Sequence, residues 1–131
     1  MFCAWEPSMS RLILPENRLH AAIRERVANH HRGFVEEVEA ALKAHDVVVI
    51  GMRWNPFPRK ACALLRSAGI AHHYIEHGSY LSGWRRRNAL KMWAGWPTFP
   101  MVFVKGVLIG GFENLKSLQE SGELARMLRP N

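Results

Sequence analysis

The chain has 131 residues, a formal charge of +7, 48% hydrophobic and 22% charged residues. Those proportions suit one α/β-sized globular domain with its own core and exclude disordered and collagen-like classes. The apolar run Val47-Val48-Val49-Ile50 is far short of the roughly 20 residues that a membrane span needs, so no membrane partner is expected.

The two cysteines, Cys3 and Cys62, form no Cys-x-x-Cys. This excludes a zinc ribbon and a disulfide framework. Glu6, Pro7 and Arg11 interrupt the first apolar stretch, and no small-residue cleavage site follows it. A cytoplasmic location is therefore the expectation, with Met9 an alternative start. The basic residues are scattered apart from Arg59-Lys60 and Arg85-Arg86-Arg87. No aromatic–basic stripe accompanies them, so no nucleic-acid partner is expected.

In chain order, Leu19, Ala22, Ile23 and Val27 recur at helical spacing and predict a first helix over 16–32, stopped by Gly33. Phe34, Val38, Ala41 and Leu42 predict a second helix over 34–44. The β-branched run 47–50 reads as a strand buried on both faces. A helix opens at Asn55-Pro56, with Asn55 as N-cap and Pro56 at the first helical position, and stops at Gly69. A strand over 71–76 completes a parallel crossover. A helix is predicted over 81–93, ending at Gly95. Met101–Val104 and Val107–Ile109 form a hairpin about Lys105-Gly106. A last helical segment carries Leu115, Leu118, Leu124, Met127 and Leu128. The reading is one α/β domain over 34–131, preceded by a helical extension over 1–33. Charged residues (Arg24, Glu25, Arg26, Glu36, Glu37, Glu39) flank the apolar stripe of the first two helices. That stripe either packs on the domain or forms a homodimer contact; the sequence leaves both open.

Three segments carry a resemblance in order and spacing. They are Val47–Gly51 leading to Asn55-Pro56-Phe57-Pro58-Arg59-Lys60-Ala61, then Trp96-Pro97-Thr98-Phe99-Pro100, then Val102–Gly111 with its double glycine. Together they resemble the glutaredoxin family over about residues 34–128. The third segment with Gly122-Glu123-Leu124 looks like the monothiol branch, and the short loop before the helix looks like the dithiol branch. The resemblance implies a thioredoxin-like fold, a four-stranded mixed sheet flanked by helices, here with an extra N-terminal helix.

The departure lies at the reacting atoms. The family carries Cys-Pro-Tyr-Cys or Cys-Gly-Phe-Ser where this chain has Asn55-Pro56-Phe57-Pro58, and Met52 stands where a lysine often precedes the loop. Thiol–disulfide exchange needs a thiolate, which Asn55 does not supply, and neither does Pro58. An iron–sulfur cluster held by that thiolate lacks its ligand for the same reason. Cys62 lies seven residues after Asn55, roughly 10 Å along the helix, and reads as a small buried side chain rather than a substitute nucleophile.

What the resemblance still implies is a glutathione groove. The backbone of Phe99, beside a cis Pro100, would pair with the cysteinyl part. Gly111, Phe112 and Glu113 would meet the γ-glutamyl end, and Arg87 the glycyl carboxylate. Phe112 replaces a small residue there, and Glu113 a shorter aspartate. No cofactor other than glutathione is implied. His72 and His73 would point to opposite faces of a strand, so with His77 they read as solvated or core histidines, not a metal site. Arg85-Arg86-Arg87 reads either as a solvated face or as an anion site; Trp93 and Trp96 read as core and groove wall. Three functions follow. One is a binding module for glutathione or a peptide without thiol chemistry. Another is a glutathione-dependent enzyme in which Asn55 hydrogen-bonds the bound thiolate. The third is a non-catalytic structural or regulatory partner.

Overall fold

The computed structural model describes residues 11–53, 55–76 and 84–129. The chain divides into two compact units, residues 1–30 and 31–131. In the first, a 3-10 turn Glu16–Arg18 precedes helix α1, Ala21–Ala28. His20 caps α1 by accepting the Ala22 N–H on its ring, and α1 buries none of its residues.

The single helix expected over 16–32 is therefore corrected. Pro15 opens only a 3-10 turn, Leu19 is extended, and α1 ends at Asn29. His31 takes a left-handed backbone (φ 49°) and opens α2, Arg32–Ala44. Gly33, expected as a stop, sits inside that helix with open space around it.

The second unit continues with β1 (Val47–Gly51), α3 (Pro56–Ser67), β2 (His73–Glu76) and α4 (Trp84–Ala94). It ends with β3 (Met101–Val104), β4 (Val107–Gly110), α5 (Phe112–Ser121) and α6 (Glu123–Leu128). The sheet order is β2-β1-β3-β4, with β1 parallel to β2 and antiparallel to β3, and β4 antiparallel to β3. This is the mixed four-stranded sheet that the resemblance implied.

Two expected elements change. The second strand starts at His73 instead of 71. The part of the α4 expectation over 81–83 lies outside the described residues. The last helical segment is two helices, because Gly122 (φ 83°) is left-handed between them.

Period-2 alternation in β1 divides the core. Val48 and Ile50 face a layer with Phe34, Val38, Leu90, Phe99, Met101 and Phe103, under α2 and α4. Val47 and Val49 face Ala61, Cys62, Leu65, Val102, Val104, Leu115 and Leu124, under α3, α5 and α6. The four residues 47–50 are 0–1% exposed; burial of each side chain contributes about 1.5–3 kcal/mol. That clamp fixes where β1 ends, and so where the loop to α3 begins. At Gly51, a Cβ would lie 2.5 Å from Pro58 Cβ and 2.9 Å from the Tyr74 hydroxyl. The absent side chain lets the first turn of α3 close onto the strand end.

Candidate functional site

The site is built where β1 hands over to α3, opposite the segment that enters β3. Asn55 has an extended backbone and caps α3, its Oδ1 accepting the Phe57 N–H at 3.0 Å. Its Nδ2 donates to the Phe99 carbonyl at 3.3 Å, across the loop–wall gap. The residue that stands where the family has its nucleophile thus ties the helix start to the wall.

The first turn of α3 offers almost nothing else to a ligand. Pro56 and Pro58 have no N–H, the Phe57 N–H is held by Asn55, and the Arg59 N–H is the first to enter the helix's own bonding. An α-helix N-terminus ordinarily presents free N–H groups to an anion. Here two are absent by chemistry and one is satisfied by the cap.

Across from this turn, the Phe99–Pro100 peptide is cis, and Phe99 and Pro100 are buried. Between the two sides runs an open groove of about 540 Å³. Its lining includes Asn55, Pro56 and Phe57 from the loop, Trp96 to Pro100 from the wall, and Gly111, Phe112 and Glu113 from the start of α5. The structure thereby brings together all of the sequence-expected site residues but two. Pro58 is buried against Gly51 behind the loop, and Arg87 does not line the groove. Arg87 is 7% exposed and shares the inward side of α4 with Leu90, itself 0% exposed. The cation on this wall is Lys91, one helical turn later, whose Nζ lies 5.7 Å from the centre of the Phe99 ring. Its i+4 relation to Arg87 and its nearness to Trp96 were visible in the sequence; which of the two faces outward was not.

Other features were not foreseen. The Trp96 indole Nε1 is buried and has no acceptor among the described residues. Leaving such a donor unpaired costs about 1–3 kcal/mol. Phe57 and Phe112 face each other with ring centres 6.2 Å apart and tilted by 43°, and the Lys60 ammonium sits 4.9 Å over the Phe57 ring. At the α5 start, Gly110 has φ 113° and a Cβ there would fall 2.6 Å from the Asn114 side chain. That close approach lets Asn114 Oδ1 accept the Gly111 N–H at 3.0 Å.

Cys62 is 7% exposed in the second core layer, and burial pushes its thiol up from the ordinary cysteine value, with Arg66 opposing weakly. A cluster or a mixed disulfide needs an accessible thiolate, and neither Asn55 nor Cys62 fits. His73 stacks on His45 with ring centres 4.3 Å apart, and His72 Nδ1 pairs with the Ile70 carbonyl at 3.3 Å. His77 lies outside the described residues. Trp93 packs in the first core layer, 5.9 Å from Phe103, while Trp96 walls the groove.

Comparison with known proteins agrees with this architecture. The family model described as glutaredoxin matches residues 47–109. A glutaredoxin-like protein of Dictyostelium discoideum is 42% identical over 95 residues, covering 72% of this chain and 77% of that one. A probable monothiol glutaredoxin of Rickettsia prowazekii is 33% identical over 100 residues, covering 72% and 91%. The fold is similar to that in the crystal structure of a buckwheat glutaredoxin–glutathione complex, with a TM-score of 0.68 and 23% identity over 76% of this chain and 91% of that one. The chain belongs to the glutaredoxin family.

Proposed function

We propose that this glutaredoxin-like chain binds glutathione, or a peptide that presents the same groups, without performing thiol–disulfide exchange. The observation that carries the reading is Asn55. It stands at the groove in the nucleophile's place, with its oxygen on the Phe57 N–H and an amide hydrogen on the Phe99 carbonyl. Among the described residues no thiol lines the groove, and burial pushes the Cys62 thiol up, away from ionisation.

Three groups support a peptide carboxylate ligand. Lys91 supplies a positive charge on the wall, the Trp96 N–H lacks an acceptor among the described residues, and the α5 start adds backbone to the far end. In this reading Lys91 takes the part that the resemblance implied for Arg87. That a fold neighbour was crystallised as a glutathione complex is consistent with the assignment.

A second reading, a glutathione-dependent enzyme in which Asn55 steadies the ligand's thiolate, rests on the one Asn55 amide hydrogen not directed at Phe99. It ranks second because the prolines remove the neighbouring helix donors that would share the charge.

Calorimetric titration with glutathione tests the proposal. Noncovalent binding with a dissociation constant near ~1 mM is expected, equivalent to about −4 kcal/mol. Lys91→Ala should weaken it about fivefold. The wild type should show no turnover of a small disulfide with glutathione. Turnover that disappears in Cys62→Ser would overturn the non-redox part. Absence of binding at several times the expected constant would overturn the ligand part and favour the partner-protein reading.

A further inference from the structure

The groove does not end at Asn55. A second depression of about 480 Å³ is lined by Asn55, Pro56, Arg59 and Lys60, and it shares Asn55 and Pro56 with the groove. The two spaces therefore share the residue that stands in the nucleophile's place as a common wall, and they differ in character. The groove beyond Phe57 is walled by Phe99, Pro100 and Phe112, whereas the outer depression carries two exposed cations. Lys60 is held over the Phe57 ring at 4.9 Å, which places its charge at the boundary. Among the described residues, no acidic side chain lines the outer depression.

The junction favours an uncharged sulfur. A thiolate there would meet the Pro56 ring, a Phe57 N–H already held by the cap, and one Asn55 amide hydrogen. A charge taken out of water without matching donors is costly. A thioether sulfur makes no such demand, and a substituent on it that crossed Pro56, which lines both spaces, would reach Arg59 and Lys60.

We infer that the site selects glutathione thioethers whose S-substituent ends in a carboxylate, the glutathione part lying in the groove and the carboxylate reaching the Arg59–Lys60 depression. This rests on the proposed glutathione binding and adds to it a second, anionic subsite. The two cations act without covalent chemistry: no bond forms or breaks, and the chain remains a binder. Because the pair is exposed, its contribution falls as ionic strength rises.

The test compares three probes by calorimetry on the full chain: glutathione, S-pentylglutathione, and S-(4-carboxybutyl)glutathione. The last two have S-substituents of similar reach and differ in a terminal methyl against a carboxylate. The carboxylate probe is expected to bind at least fivefold tighter than the pentyl probe at low salt, and that advantage should shrink in several-hundred-millimolar salt. In the Arg59→Gln/Lys60→Gln double variant the advantage should vanish while the affinity for glutathione stays within twofold. Both positions are exposed on the helix surface, and circular dichroism of the variant provides the folding control. Equal affinities for the two thioethers, or an advantage that survives in the double variant, would overturn the inference while leaving glutathione binding intact. If glutathione and both thioethers fail to bind, the underlying function is wrong and the subsite falls with it.

Discussion

The loop from Met52 to Pro58 and the wall from Trp96 to Glu113 face each other across one groove, yet they stand differently toward a ligand. The wall is the outer edge of the core: Met101 and Leu115 directly behind it are 0% exposed. Its polar groups are partly unused, with the Trp96 N–H buried and lacking an acceptor among the described residues. The loop, by contrast, has its polar groups occupied within the chain. Asn55 serves both the helix start and the wall, and prolines delete the donors on either side of Phe57. The difference teaches that the shape of a glutaredoxin groove does not depend on the sulfur it usually serves. Packing behind the wall sets the shape, and in the proposed function the first turn of α3 sets whether covalent chemistry takes place there.

The comparison breaks most sharply at Asn55. Asn55→Cys places a thiol at the α3 start and frees the Phe57 N–H to donate to it. Its thiolate would attack glutathione disulfide, forming one mixed disulfide and releasing one glutathione thiolate, with no second thiol at Pro58 to resolve it. Mass spectrometry should find one added glutathionyl group in nearly all of the variant and in none of the wild type at that site. A variant that stays unmodified would show that the groove no longer admits the peptide.

The next contrast concerns stability. Met101→Ala, behind the wall, should cost about 2–5 kcal/mol in urea unfolding. Phe57→Ala, on the loop at 44% exposure, should cost about 1 kcal/mol or less. Similar losses at both positions would mean that the loop is part of the core after all.

A smaller effect sharpens the point at the hinge between the two regions. Gly51→Ala forces a Cβ to 2.5 Å from Pro58 Cβ, and should destabilise by about 1–3 kcal/mol. Adding Pro58→Gly should recover part of that loss, because the ring carbons are what the new methyl meets. No recovery would point to the Tyr74 hydroxyl, 2.9 Å away, as the harder obstacle.

The smallest effect is a pH dependence beside the loop. Burial, and the hydrogen bond the Tyr74 hydroxyl donates to Glu76 Oε1 at 3.1 Å, raise the phenol well above its ordinary value of 10.0. A raised value means that the folded state keeps a proton the unfolded chain releases. The associated stability is present below the ordinary tyrosine value and is lost as pH climbs above it. Cys62 shifts the same way from 9.0. Unfolding midpoints measured from about pH 9 to 11 should therefore fall, and fall less steeply in Tyr74→Phe. Parallel slopes for the two proteins would refute the assignment.

Much of this was legible one residue at a time. The β-branched run 47–50 fixed a buried strand because alternate side chains reach opposite core layers. Asn55-Pro56 marked a helix start because an amide can cap and a proline needs no N–H there. Those signals are local, and the loss of the nucleophile is a matter of which atoms a side chain contains. The rest depended on groups brought together from distant parts of the chain. The resemblance gave Arg87 to the groove, but Arg87 is buried on the side of α4 that carries Leu90, and Lys91 is the cation on the wall. A periodic pattern over 16–32 gave one helix, but Leu19 and His31 each leave the helical backbone and divide it. The tie from Asn55 to Phe99 spans 44 positions of sequence, and the lone indole N–H of Trp96 became evident only when its surroundings closed around it. Composition and period report what each residue prefers; which neighbours it then meets is decided by how helices rotate and strands pair as the core packs.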